Sequence, residues 1–257
     1  MKMVNGIMIL VQMFPSKLPI ISQPLVFSNN YSLLFDGTND SVVIDSTTVI
    51  DNIFDGGGSV SIWYRYEGMG GSNNGRLISK DGATLNKGWQ IFHNTGGKLL
   101  YAFKGSSGTT EATINFTHSI YDDVWRHMVI VYDTGDLESA QPTIYIDNAV
   151  KGVTGASLAT DAYDTDASVD LYLGNMRSYD RSWLGGIDEV SFWDKKLDAS
   201  EVSAIYNNRV PTDLSGESNL VGYWRLEEGT GTSIGDSSSN NSTGERNNAA
   251  WSTDVPS

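Results

Sequence analysis

An all-β sandwich is the fold this sequence predicts, and three observations predict it. Short apolar runs rich in Val, Ile, Tyr and Trp recur along the chain, separated by clusters of Gly, Asn, Asp and Ser. That is the punctuation of strands and turns in a sandwich. The clearest run, Ser59–Tyr66, alternates so that Val60, Ile62, Tyr64 and Tyr66 share one face. Only the segment near Ser200–Asn208 has helical spacing.

Taken in order, Ser32–Ile44 predicts a strand pair broken at the Asp36–Asp40 turn. Ser59–Tyr66, Arg76–Lys80, Gly88–Phe92, Lys98–Lys104 and Ala112–Phe116 follow as strands. Val124–Asp133 and Pro142–Asp147 are the most apolar pair and are expected at the centre of a sheet. Val169–Asn175 precedes the stretch Trp183–Asn207, which reads as strand, turn and helix. Ile187, Val190, Phe192 and Trp193 supply that strand's β-branched and aromatic residues. Asp198 with Glu201 three positions on forms a capping box, and Val202, Ile205 and Tyr206 fall on one helical face.

A chain of 257 residues suits one sandwich with tails. It contains no cysteine, which excludes a disulfide framework. The net charge of −14 argues against a nucleic-acid partner, because phosphate recognition needs a basic surface. Gly6–Phe14 is apolar but far too short to span a bilayer. With Pro15, Pro19 and Pro24 keeping the chain extended, residues 1–28 are expected to be an arm that docks on a partner or on the domain itself. Asp161, Asp164, Asp166 and Asp170 lack the Gly and terminal Glu of an EF-hand loop and are expected to form a solvated acidic loop.

Six fragments, LLFDGTNDSVVI, VSIWYR, DVWRHMVIVYD, TIYIDNAV, LYLGN and GGIDEVSFWDKKLDASEVSAIY, stand in order over residues 32–208. Together they resemble the laminin-G-like, concanavalin A-type jelly rolls. The resemblance implies two antiparallel sheets with one short helix near 199–208. In TIYIDNAV, Asn148 stands where the family's turn has glycine, a swap that a type I′ turn tolerates. The implied organisation is an arm over 1–28, a jelly roll over 29–210 and an extension over 211–257. The extension contains NLVGYWRLEEGTG, which resembles the strand that opens this domain in the family, here placed last. It is expected to close the same sheet, with closure of a neighbour's sheet as the alternative.

Fold alone does not fix function. Hydrolases of this fold place Glu-x-Asp-x-x-Glu on one strand, and no such run occurs here. Glu227-Glu228 and Asp188-Glu189 are adjacent pairs, which regular alternation would send to opposite faces. There is no G-x-S-x-G elbow, and His93, His118 and His127 lie in unrelated segments, His127 reading as a packed strand residue.

What the resemblance implies is binding. Asp188 matches an aspartate that holds calcium in related jelly rolls, with Asp36 and Asp40 as candidate suppliers of further oxygens. For a glycan, exposed aromatics beside amides and charges are the useful groups. Trp89, Asn175, Arg177, Tyr179, Asp180 and Trp183 are the candidates. The layout, with its W-x-T-D-V-P tail at Trp251–Pro256, resembles short family members of marine bacterial and phage genomes. The expectation is a non-enzymatic surface protein: a virion structural or decoration subunit, homo-oligomeric or part of an assembly, attached through residues 1–28 and able to bind host glycans. The alternatives are a secreted carbohydrate-binding lectin with a calcium site and, third, a polysaccharide-acting enzyme.

Overall fold

A computed structural model describes residues 27–82, 87–93, 99–104, 111–116, 123–136, 141–157 and 165–257. Residues 1–26 of the expected arm, with His118, Asp161 and Asp164, lie outside them. The strands are β1 (Ser32–Asp36), β2 (Ser41–Ile44), β3 (Gly58–Arg65), β4 (Arg76–Asp81), β5 (Gly88–His93), β6 (Leu99–Lys104), β7 (Glu111–Phe116) and β8 (Trp125–Tyr132). There follow β9 (Thr143–Ile146), β10 (Ala149–Val150), β11 (Val153–Ser157), β12 (Leu171–Leu173) and β13 (Leu184–Trp193). Helix α1 (Ala199–Tyr206) precedes β14 (Leu220–Trp224), β15 (Ser233–Ile234), β16 (Gly244–Asn247) and β17 (Ala250–Ser252).

Two antiparallel sheets face each other. The first runs β10-β9-β8-β3-β13-β1-β17, with β14 also paired to β13, and the second runs β11-β7-β6-β5-β4-β12-β2-β16-β15. Alternation fills the space between them: Val60, Ile62, Tyr64 and Tyr66 of β3 and its exit join Met128 and Ile130 of β8, Leu171 and Leu173 of β12 and Trp224 of β14 in one core. The opposite face of the first sheet is buried as well. Val202 and Ile205 of α1 pack with Val129, Val131, Tyr145, Trp193 and Tyr223 in a second, smaller cluster. The sequence pattern showed only one apolar face for β3, yet Trp63 on the other face stacks on Tyr206 of α1 at 6.0 Å.

The local signals are realised. Asp198 accepts from the backbone of Ser200 and Glu201, and the Glu201 carboxylate accepts from the Asp198 backbone, closing the capping box. The β9–β10 turn has φ of 50° at Asp147 and 62° at Asn148, both in the left-handed region that a type I′ turn requires. Residues 219–257 are woven into both sheets: β14 pairs with β13, β17 with β1 and β16 with β2.

The acidic loop differs from expectation at Asp166. Its side chain is buried, accepts from the Asn52 backbone and lies 3.3 Å from the Lys80 ammonium. Lys80 is itself buried and also reaches Asp51 at 2.7 Å and the Val169 carbonyl at 2.6 Å. A charge removed from water must be paired, and this triad ties β4 to the loops on either side.

Candidate functional site

The long strand β13 changes partner midway. Its first half registers with β1, Leu33 opposite Ile187, and its second half with β14, Trp224 opposite Val190. Between them the ladder to β3 shifts, and Glu189 takes φ of 47°. This β-bulge breaks the alternation that was expected to separate Asp188 from Glu189. Asp188 registers with Trp63, and Glu189 accepts from the Tyr223 hydroxyl, so both carboxylates leave toward the outer layer beside α1.

The chain entering β1 and the chain leaving β14 meet at this seam. Asn29 Nδ2 donates to Asp188 Oδ2 at 2.9 Å, and Arg225 donates to the Ser28 carbonyl at 2.6 Å. Glu227 accepts from the backbones of Asn30 and Tyr31 at 2.9 and 3.0 Å. Burial, reinforced by Glu189, pushes Asp188 well above the usual carboxylate range. Burial likewise pushes Glu189 up to about 7, against hydrogen bonding from Tyr223 and the charge of Arg225. The seam therefore disfavours the ionised forms of both carboxylates.

Calcium, which the fold family implies, is tested by the donors at this seam. Asn29 Oδ1 is buried without a hydrogen-bond partner among the described residues, and a half-turn of its amide would aim that oxygen at Asp188. A carboxylate plus an amide oxygen suits a hard cation. Asp36 and Asp40 do not belong to this set. Asp36 registers with Leu184, four residues along β13 from Asp188, which is about 13 Å of strand. Their carboxylates serve their own turn: Asp40 accepts from the Asp36 backbone at 2.7 Å, and Asp36 from Thr38 at 2.8 Å. Among the described residues no three Asp, Glu or His side chains form a cluster able to hold an ion alone, so backbone carbonyls would have to complete the shell.

The second candidate surface is the loop from Gly174 to Trp183, and here the expected site residues divide. Trp183 is fully buried, its indole donating to the Arg65 carbonyl at 3.2 Å, and Trp89 packs on Phe54 and Phe192 in the core. Neither Trp is available to a ligand, because each faces the space between the sheets. Asn175 is buried too. Its amide donates to the Asp40 carbonyl and accepts from Met176 and Arg181, so it shapes the loop rather than its surface. Arg177, Tyr179 and Asp180 remain exposed at the tip.

The loop's base is fixed to the sandwich on several sides. Gly174 donates to the Leu77 carbonyl, Trp183 to Gly174, Gly71 to Ser182 and Arg76 to Arg181, all at 2.8–2.9 Å. Gly174 has φ of 71° and lies against the Phe35 ring where a Cβ would collide, so only glycine fits. On this base Tyr179 stands 44% exposed at φ of 58°, its ring edge-on to Tyr172 at 5.9 Å. A non-glycine residue held there carries strain of ~1–3 kcal/mol, a cost that clusters at functional positions. Beside it Arg76, Met176, Arg177, Ser178, Asp180 and Arg181 line a cavity of about 410 Å³. Arg76, on β4 and distant in sequence, was missed because nothing local marks it.

His127 is buried, with Nε2 2.8 Å from Ser61 Oγ and its ring packed against both Trp63 and Tyr206. Desolvation holds its pKa down to about 3, so it is a neutral packing residue.

Among known proteins, the chain is similar over 90% of its length to a protein of Bacteroides ovatus classed as a candidate carbohydrate-binding protein, at 16% identity and a TM-score of 0.63. It spans 62% of that chain. The binding domain of botulinum neurotoxin serotype G matches 70% of this chain and 43% of its own at 18% identity, with a TM-score of 0.52. These likenesses concern the fold. Among curated proteins, the adhesion G-protein coupled receptor V1 of Danio rerio is 23% identical over 199 residues, 75% of this chain but 3% of the receptor. By their descriptions one structural neighbour is a candidate carbohydrate-binding protein and the other a binding domain, whereas the superfamily also includes glucanases. No helix among the described residues is long and apolar enough to cross a membrane. A family model matches residues 36–203, well over half of the chain, and the chain belongs to the concanavalin A-like lectin/glucanase superfamily.

Proposed function

We propose that this protein is a non-catalytic glycan-binding module whose recognition surface is the Gly174–Trp183 loop. The observation that carries the reading is the contrast within that loop. Its base is immobilised by the hydrogen bonds of Gly174, Asn175 and Trp183, while its tip offers an exposed tyrosine beside a cavity to which Arg76, Arg177, Ser178, Asp180 and Arg181 contribute. Sugars present apolar C–H faces for stacking and hydroxyls for hydrogen bonds, and a fixed tip loses little entropy in meeting them. A binding role also suits the carboxylates of the β13 seam, which are engaged with Asn29, Tyr223 and backbone groups rather than set across an open cleft. At that seam a calcium ion on Asp188 would brace β13 against the chain entering β1.

Retention on immobilised polysaccharides, measured for wild type and Tyr179→Ala, tests the reading. Stacking of this kind contributes on the order of 0.5–1.5 kcal/mol, so the variant should bind ~2- to 10-fold more weakly at an unchanged melting temperature. Equal retention by the two proteins would remove the loop from the binding surface.

A further inference from the structure

The sign of the charge around this cavity opposes that of the whole molecule. The chain has 31 acidic and 17 basic residues, yet among the described residues that line the cavity there are three arginines, Arg76, Arg177 and Arg181, and one carboxylate, Asp180. Arg76 is built in. It is only 5% exposed, its Nε donates to Gln90 Oε1 at 2.7 Å and its Nη1 to the Asn74 carbonyl at 2.6 Å. The guanidinium also lies 4.1 Å from the centre of the Phe92 ring. Such a group reaches its binding geometry before any ligand arrives.

The other two arginines flank the exposed Tyr179 at positions 177 and 181. Arg181 is held next to Arg76 by a 2.8 Å bond from the Arg76 backbone to its carbonyl. Its only ion pair among the described residues is a loose one, 3.9 Å from Asp180, and Arg177 makes none there. At physiological salt the screening length is ~8 Å, so acidic residues farther off than that weigh little in this local field.

Resting on the glycan-binding reading, we infer that the cavity selects an acidic polysaccharide. Tyr179 stacks on a sugar ring, and Arg177, Arg181 and Arg76 hold its uronate carboxylate or sulfate ester. Planar guanidinium groups bind both anions through paired charge-assisted hydrogen bonds, which neutral sugars cannot match. A protein of net charge −14 is repelled by polyanions in general, so retention on one must come from a local basic site.

Two matched pairs of matrices test this: dextran sulfate against dextran, and polygalacturonate against its methyl ester. The expected result is stronger retention on the charged member of at least one pair, weakening as salt rises, and the pair that responds identifies sulfate or carboxylate. Arg177→Gln and Arg181→Gln should each weaken that retention by about tenfold or more, the loss of one charge-assisted bond, at an unchanged melting temperature. Equal retention on charged and neutral members, lost in Tyr179→Ala, would overturn the acidic preference and leave the module standing. Charge-dependent retention that both arginine variants preserve would also overturn it, by moving the site elsewhere. Retention on none of the four would overturn the acidic preference, leaving the module to the Tyr179→Ala comparison on other polysaccharides.

Discussion

Asn29 and Asp188, 159 positions apart, meet where β1 ends and β14 begins along β13, the Asn29 amide donating to the Asp188 carboxylate at 2.9 Å. That contact sits over three carboxylates, Asp188, Glu189 and Glu227, whose mutual repulsion adds to the burial of the first two. The arrangement holds the entering chain and the C-terminal strand to one point of the sheet.

A first prediction follows from the sign of those shifts. Asp188 and Glu189 titrate higher folded than their ordinary values of 3.8 and 4.5, Glu189 at about 7. Their ionised forms are therefore disfavoured in the folded state. Stability contributed by their protonated forms is present at low pH and lost as pH rises through the folded values. In chelator this pair should make the protein melt lower at pH 8 than at pH 6. Calcium at a hundredfold excess over its dissociation constant should add ~2.7 kcal/mol at pH 8. Asp188→Asn should melt higher than wild type in chelator and show no response to calcium. Superimposable wild-type melts with and without calcium would dismiss the ion.

The second prediction has the opposite sign. His127 is buried neutral with a folded pKa of about 3 against an ordinary 6.5. The unfolded chain takes up this proton first, so its contribution is complete above pH 6.5 and declines toward pH 3 at ~1.4 kcal/mol per unit. Replacing it by Gln, which can still meet the Ser61 hydroxyl, should lower stability at pH 7 through lost ring packing against Trp63 and Tyr206. The same variant should flatten the decline between pH 6 and 4 in denaturant titrations. An unchanged acid slope would show that the imidazole does not titrate in the folded protein as its burial requires.

Lys80 supplies the third. Its ammonium, wholly buried, lies between Asp51 and Asp166. Lys80→Met keeps the volume but leaves Asp166 buried without that cation, and should cost ~3–5 kcal/mol by chemical denaturation. Adding Asp166→Asn should recover a large part of the loss, since the uncompensated charge is then gone. A double variant no more stable than the single would show that the lysine's packing, rather than its charge, is what counts.

What was legible in the sequence was what repeats locally. Alternation set the inner face of β3, the Asp198–Glu201 spacing set the start of α1, and Asp147-Asn148 set the turn between β9 and β10. What could not be read was direction at irregular positions. Trp183 and Tyr179 stand four residues apart among the same polar neighbours, yet one is core and the other exposed, and only the closure of the loop on Leu77 and Arg65 decides between them. Asp188 and Glu189 escaped alternation through a bulge that no residue type announces. Asn29, Arg76 and Glu227 acquire their roles from partners far away in the chain, on which a local pattern is silent.

The last prediction concerns the C-terminal segment from β14 onward, which is woven into both sheets. Tyr223, Trp224, Leu226 and Ile234 are all fully buried, and the Trp224 indole donates to the Ser242 carbonyl at 2.7 Å. Each such side chain contributes ~1.5–3 kcal/mol by leaving water, so the four together match the whole stability of an ordinary domain, ~5–15 kcal/mol. Their loss would also strip β13 of β14 and leave Glu189 without Tyr223 and Arg225. A chain ending at Ser218 should therefore show no cooperative melt. A separate peptide of residues 219–257 should restore one, because strand pairing and core filling need contact rather than a covalent link. Cooperative melting of the truncated chain within a few degrees of the full one would mean that the remaining strands complete the sandwich alone, with β14 only added to its edge.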